Sequence, residues 1–115
     1  MEKPVYNLEN FKEMMGDDAE EMIVMVRMFI DLTPSVLSEM KEAVEMQQWR
    51  KTGDLAHKIK SSLRLFGMQD LVDKAVEIEQ DGRKNKNVDK LSQKVLNFES
   101  EIQHAIERLK LELNL

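Results

Sequence analysis

The stretch Leu55-Ala56-His57-Lys58-Ile59-Lys60-Ser61-Ser62-Leu63-Arg64-Leu65-Phe66-Gly67 holds the residues whose types and spacing offer chemistry. Set on a helix at about 100° per residue, Lys60, Ser61 and Arg64 fall on the same side as His57, while Leu55, Ile59, Ser62 and Phe66 cluster near the opposite pole. The imidazole therefore faces water, not the core. It is a nucleophile available near neutral pH, and it stands beside two permanent cations and a small hydroxyl. That set suits a phosphoryl group, whose oxygens need charge neutralisation and hydrogen-bond donors.

A different chemistry uses similar spacing. Asp54 precedes His57 by three residues and Glu101 precedes His104 by three, the carboxylate-histidine interval of di-iron helical bundles. Ligands of such a centre project inward. His57 opposes its own apolar stripe, and His104 lies roughly 160–200° from Ile102 and Ile106, so both rings face solvent. No metal site is expected, and His104 reads as an exposed surface residue. The chain also has no Gly-rich phosphate loop, no nucleotide motif and no carboxylate set for magnesium. It is therefore expected not to use ATP, to act without an intrinsic cofactor, and to be no enzyme in its own right.

The elements that position His57 follow from helical periodicity. A short helix is expected from Asn7 to Met15, ended by Gly16, and Asp17 or Asp18 then caps a long second helix. Its apolar stripe runs Met22, Met25/Val26, Phe29, Thr33, Val36/Leu37, Met40 and Val44. A kink or brief break is expected near Thr33-Pro34, without chain reversal. Met22, Met25 and Met40 fit that stripe as core residues, whereas Met28 and Met46 fall off it. The third helix is expected from Gln48 or Trp49 to Phe66, with Gly67 as its stop and Trp49 packed at the bundle end. The fourth runs from about Met68 to Gln80, with Leu71, Ala75 and Ile78 buried, and Asp81-Gly82-Arg83-Lys84-Asn85 reads as a polar loop. The fifth runs from about Val88 to Leu111. With no competing strand signal, the pattern gives an all-α fold: an antiparallel up-down four-helix bundle with an additional short N-terminal helix.

Length and composition bound the rest. At 115 residues with 42% hydrophobic and 34% charged side chains, a single domain spanning 1–115 is expected. The absence of cysteine excludes disulfides and thiolate metal sites and suits a reducing compartment. No apolar run approaches the ~18 residues of a membrane span, and the start Met-Glu-Lys-Pro has no signal-peptide core; a soluble, cytoplasmic, free-standing protein is expected. A net charge of −5 argues against nucleic acid as a partner. Locally the sign reverses. Arg50, Lys51, Lys58, Lys60 and Arg64 face only Asp54 between positions 50 and 64, a patch suited to an acidic cleft. No sustained heptad seam demands a dimer, so a monomer is expected.

The sequence resembles the histidine-containing phosphotransfer (HPt) domains of multistep two-component relays. Ala56, His57, Ile59, Lys60, Ser62 and Gly67 match that family's Ala-His-x-Leu/Ile-Lys-Gly-Ser/Ala signature and its glycine ten residues past the histidine, and Leu71, Ala75 and Glu79 fit its next helix. The resemblance implies that His57 accepts a phosphoryl group on Nε2 from a receiver-domain aspartate and passes it to another. The implied partners are response-regulator receiver domains and a hybrid sensor histidine kinase, with Mg²⁺ supplied by the receiver. Lys60 is placed to supply charge and Arg64 to add charge or grip the receiver; for both, a solvated helix face is the plain alternative. Lys58, Ser62, Gly67 and Met68 are expected to touch the partner. Glu79 either orients the other ring nitrogen or is a plain surface carboxylate. Ser61 stands where the family usually has glycine, and its hydroxyl either donates to a phosphoryl oxygen or narrows the partner's approach. A bundle of this fold that binds a receiver or kinase without phosphotransfer is the competing reading, and Ser61→Gly separates the two. A generic helical scaffold would be indifferent to His57→Gln.

Overall fold

The computed structural model describes residues 19–115, so the short helix expected over Asn7–Met15 and the caps at Asp17 and Asp18 lie outside the described residues. Four helices follow: α1 (Ala19–Glu45), α2 (Trp49–Leu65), α3 (Gln69–Lys84) and α4 (Val88–Leu113). Three-residue connections join them, which forces each helix to run antiparallel to the one before it. Each packs on its neighbour in sequence, and α1 meets α4 to close a ring. The expected all-α bundle is the fold, and no strand is present among the described residues.

The same device ends the first three helices. At α1, Gln48 N–H donates to the Ala43 carbonyl at 2.8 Å and Gln47 N–H to Val44 at 3.2 Å; at α2, Met68 donates to Leu63 at 2.9 Å and Gly67 to Arg64 at 3.1 Å; at α3, Lys86 donates to Asp81 at 2.9 Å and Asn85 to Gly82 at 3.4 Å. This paired bonding satisfies the last carbonyls and requires a left-handed residue. Gln47, Gly67 and Asn85 provide it with φ of 58°, 66° and 56°. Only at Gly67 is that conformation free of Cβ strain, and only there is the stop plain in the sequence.

The core is aliphatic and methionine-rich, with Phe29 and Phe66 in tilted contact at 5.0 Å between ring centroids. Met22 and Met40 are buried and Met28 and Met46 are exposed, as their stripe positions require, whereas Met25, expected in the core, is only partly buried against it. Trp49 packs half-buried against the core at the start of α2. Pro34 does not break α1, which is continuous across it. The proline ring sits on the exposed face of the helix.

Of the expected loop Asp81–Asn85, Asp81 to Lys84 are instead the last turn of α3, and Asn85 is the left-handed residue that ends it. Gly82 is buried against α2, and a Cβ there would stand 2.5 Å from the Trp49 carbonyl oxygen and 2.9 Å from Gly53 N. A Cβ on Gly53 would in turn lie 2.8 Å from the Glu79 carbonyl oxygen. The two glycines allow the backbones of α2 and α3 to touch, so residues that read as a weak helix and a loop are a packing contact. Asp81, buried, is also engaged: Lys94 of α4 lies 2.7 Å from both Asp81 and Glu77. Those hydrogen bonds, donated to Asp81 first and Glu77 second, raise the Lys94 ammonium above its usual range against the opposing effect of burial.

Candidate functional site

His57 lies midway along α2, with 54% of its side chain exposed. The close α2–α3 contact brings Glu79, one turn before Gly82, across to it. His57 Nδ1 and Glu79 Oε1 are 2.8 Å apart. Lys60 Nζ donates to the other carboxylate oxygen at 3.0 Å, and Arg83 Nη1 donates to Oε1 at 2.9 Å. Arg83 also reaches back to α2, donating from Nε to Asp54 Oδ1 at 2.9 Å. Five side chains from two helices thus form one connected network with the imidazole at its exposed edge.

Glu79 is the centre of that network, and only 11% of its side chain is exposed. Burial by itself would favour the neutral acid. The hydrogen bonds from Lys60 and His57, with their charges, outweigh it and hold the carboxyl below its ordinary range. Glu79 is therefore an ionised acceptor, so the hydrogen on the shared bond must belong to Nδ1. In the neutral ring Nε2 then carries the lone pair. When that lone pair forms a bond, positive charge develops on the ring, and a fixed carboxylate against Nδ1–H stabilises it.

The remaining residues singled out in the sequence divide by position. Ser61 and Arg64 are exposed on the His57 side of α2, as expected. Lys60 differs: only 15% of its side chain is exposed, because it bends to Glu79 instead of extending into water. Lys58 is exposed and Ser62 half-buried, and both line a groove of about 250 Å³ between α1 and α2 whose other walls include Met25, Phe29, Leu32 and Leu65. Gly67 is half-buried in the α2–α3 turn. The expected partner contact at Met68 is corrected by its burial: 0% of the residue is exposed. It follows the left-handed residue of the helix stop, and the side chain at that position packs back onto the helix just ended.

Arg83 and the role of Asp54 were not legible in the sequence. Arg83 falls four residues after Glu79, the spacing that pairs side chains on one helix face, but that signal requires the helix to continue through Gly82. His104 is exposed on α4, away from this network. Among the described residues, no group of three or more His, Cys, Asp or Glu side chains could hold a metal ion. No described helix is long and apolar enough to cross a membrane.

The helical bundle thus holds the His57 imidazole at its surface with Nδ1 against an ionised carboxylate and Nε2 turned away from that bond. The sequence profile of the Hpt domain matches residues 24–112, which take in all of α2 and α3, most of α1 and α4, and every member of the network. The chain belongs to the Hpt domain family, whose members serve histidine phosphotransfer in two-component systems with receiver and kinase partners. No curated protein and no solved structure matches the chain.

Proposed function

We propose that this chain carries a phosphoryl group on His57 between receiver-domain aspartates in a multistep phosphorelay. The observation that carries this reading is the hydrogen bond from Nδ1 of the exposed imidazole to the buried, ionised Glu79. The Nε2 lone pair attacks phosphorus of the receiver's aspartyl phosphate. The N–P bond forms as the bond to the carboxylate oxygen breaks, and the aspartate leaves as its anion. Nδ1 keeps its proton, so the ring gains positive charge that Glu79 stabilises. Return transfer to another aspartate reverses each step.

Lys60 has three donors, one committed to Glu79, which leaves the others for phosphoryl oxygens. Arg64, one helical turn past Lys60, supplies further positive charge or grips the receiver. Ser61 stands one turn from His57 on the same exposed face and donates its hydroxyl to the phosphoryl group. The α1–α2 groove adjoins the site through Lys58 and Ser62, and its apolar walls with the exposed Met28 and Leu32 suit an apolar patch on the receiver. Mg²⁺ enters with the receiver, and a hybrid sensor histidine kinase charges the relay. The carrier acts as a cytoplasmic monomer, with no ATP site and no cofactor of its own.

Incubation with a phosphorylated receiver domain tests the reading. Acid-labile phosphate is expected on the wild type and absent from His57→Gln. A folded wild type that takes no phosphate from a broad panel of receivers would overturn it. If Ser61→Gly then gained transfer, the native chain would be a bundle that binds receivers without accepting phosphate.

A further inference from the structure

The strongest observation outside the roles assigned above is that one side chain ties the acceptor's carboxylate to the acceptor's own helix. Arg83 donates from Nη1 to Glu79 Oε1, the same oxygen that faces His57 Nδ1, and from Nε to Asp54 Oδ1, each at 2.9 Å. A carboxylate held only by Lys60 could rotate about its last bond and lower the share of time Oε1 faces the imidazole. The planar guanidinium, fixed at two points, opposes that rotation. Asp54 stands three residues before His57 and belongs to the same helix, so the bridge closes a loop: α2 to Arg83, Arg83 to Glu79, Glu79 back to α2. We propose that Arg83, anchored by Asp54, is a positioning residue that sets the tautomer of His57 by fixing Glu79 Oε1 against Nδ1. It touches neither Nε2 nor the phosphoryl group and acts only through Glu79.

This inference rests on the carrier reading for its consequence, but its first readout does not need phosphate. Imidazole ¹⁵N shifts are recorded on the unphosphorylated full chain for the wild type, Arg83→Gln, Glu79→Gln and the double variant, with thermal melting to show folding. The wild-type ring is expected as one neutral tautomer with hydrogen on Nδ1, and Arg83→Gln is expected to show a mixture of both. Asp54→Asn, which leaves Arg83 in place but removes its anchor, is expected to shift the mixture the same way. In transfer from a phosphorylated receiver, Arg83→Gln lowers the acceptance rate by roughly two- to fivefold, the range of one partly exposed ion pair. Added to Glu79→Gln, it changes the rate by less than about 1.5-fold, since the group it acts through has already lost its charge. Arg83→Lys keeps one charge but cannot span both carboxylates, and it behaves like Arg83→Gln.

A wild-type tautomer in both Arg83→Gln and Asp54→Asn would overturn the proposal. Equal losses of rate in the presence and absence of the Glu79 carboxylate would also do so, because Arg83 would then act on transfer directly. Full rescue by lysine would show that charge alone suffices. A chain that accepts no phosphate at all would remove the carrier reading and leave the ¹⁵N result standing.

Discussion

A carboxylate gripped by His57, Lys60 and Arg83 cannot be exchanged for its amide without consequence, although glutamine has the same shape. In Glu79→Gln the oxygen facing Nδ1 is neutral, and the charge that develops on the ring during N–P bond formation loses its counterpart. Acceptance of phosphate is expected to fall roughly ten- to a hundredfold, the worth of one charge-assisted hydrogen bond. Stability is expected to fall by about 1–3 kcal/mol, because Lys60 is left half-buried with a weaker partner. The pH dependence has a definite sign. The Glu79 carboxyl is held below its ordinary value of 4.5, so its stabilising contribution is complete above that pH and is lost as pH falls through the lowered folded-state value. Denaturant melts at a series of pH values should show a constant wild-type advantage over Glu79→Gln above about pH 4.5, shrinking at lower pH. A constant difference down to pH 3 would contradict the lowering of this carboxyl's titration by its partners. His57 and its exposure were legible from the helical wheel alone, since hydrophobic periodicity fixes which side of α2 meets water. The bend of Lys60 toward Glu79 was not, because it depends on how closely a second helix approaches.

That approach is a property of two elements. The backbones of α2 and α3 touch at Gly53 and Gly82, where an added Cβ would meet backbone atoms at 2.8 and 2.5 Å, atoms that cannot yield as a flexible side chain would. Gly82→Ala gains up to ~1 kcal/mol of helix propensity. It also forces the helices apart, at a cost typical of overpacking, about 1–3 kcal/mol. Its melting temperature is expected to fall by about 5 °C, and the wider gap lengthens the reach from Glu79 to His57, so the Nδ1 hydrogen bond weakens in the ¹⁵N spectrum as well. A stabilised Gly82→Ala with an unchanged imidazole would show that the contact is not tight. The existence and type of all four described helices were readable from apolar spacing. The end of α3 was not: Asp-Gly-Arg-Lys-Asn has the composition of a turn, and only the facing Gly53 reveals that Gly82 is small for packing. Met68 misled for a related reason, because the same helix stop that makes Gly67 conspicuous folds the next side chain inward.

For the whole molecule, the ring of four helices leaves an apolar stripe exposed among the described residues. Val24, Met28 and Leu32 repeat every four residues along the outer face of α1 and are each more than half exposed, beside the groove that reaches Lys58 and Ser62. Leu32→Glu places a charge there without entering the core, so melting is expected to stay within about 0.5 kcal/mol of wild type. Binding of a receiver domain, followed by calorimetry, is expected to weaken roughly tenfold or more, a loss of the size seen when a central apolar contact is removed. Unchanged affinity would place the receiver on another face. Neither the stripe nor the groove stood out in the sequence beyond the off-stripe positions of Met28 and Met46, because a residue's exposure does not say what stands next to it.

The network around His57 closes between residues 19, 22 and 29 positions apart, and every one of its side chains belongs to the single hairpin of α2 and α3. Local fraying at the outer ends of the two long helices therefore breaks none of its bonds, whereas one opening of the hairpin breaks every bond that crosses from α2 to α3 together and leaves only the Arg83–Glu79 pair within α3. His57 and the α2–α3 contacts that orient it thus form and break as a single cooperative unit, so in the proposed carrier a chain caught partly unfolded at the hairpin presents no half-assembled acceptor to a stray phosphoryl donor.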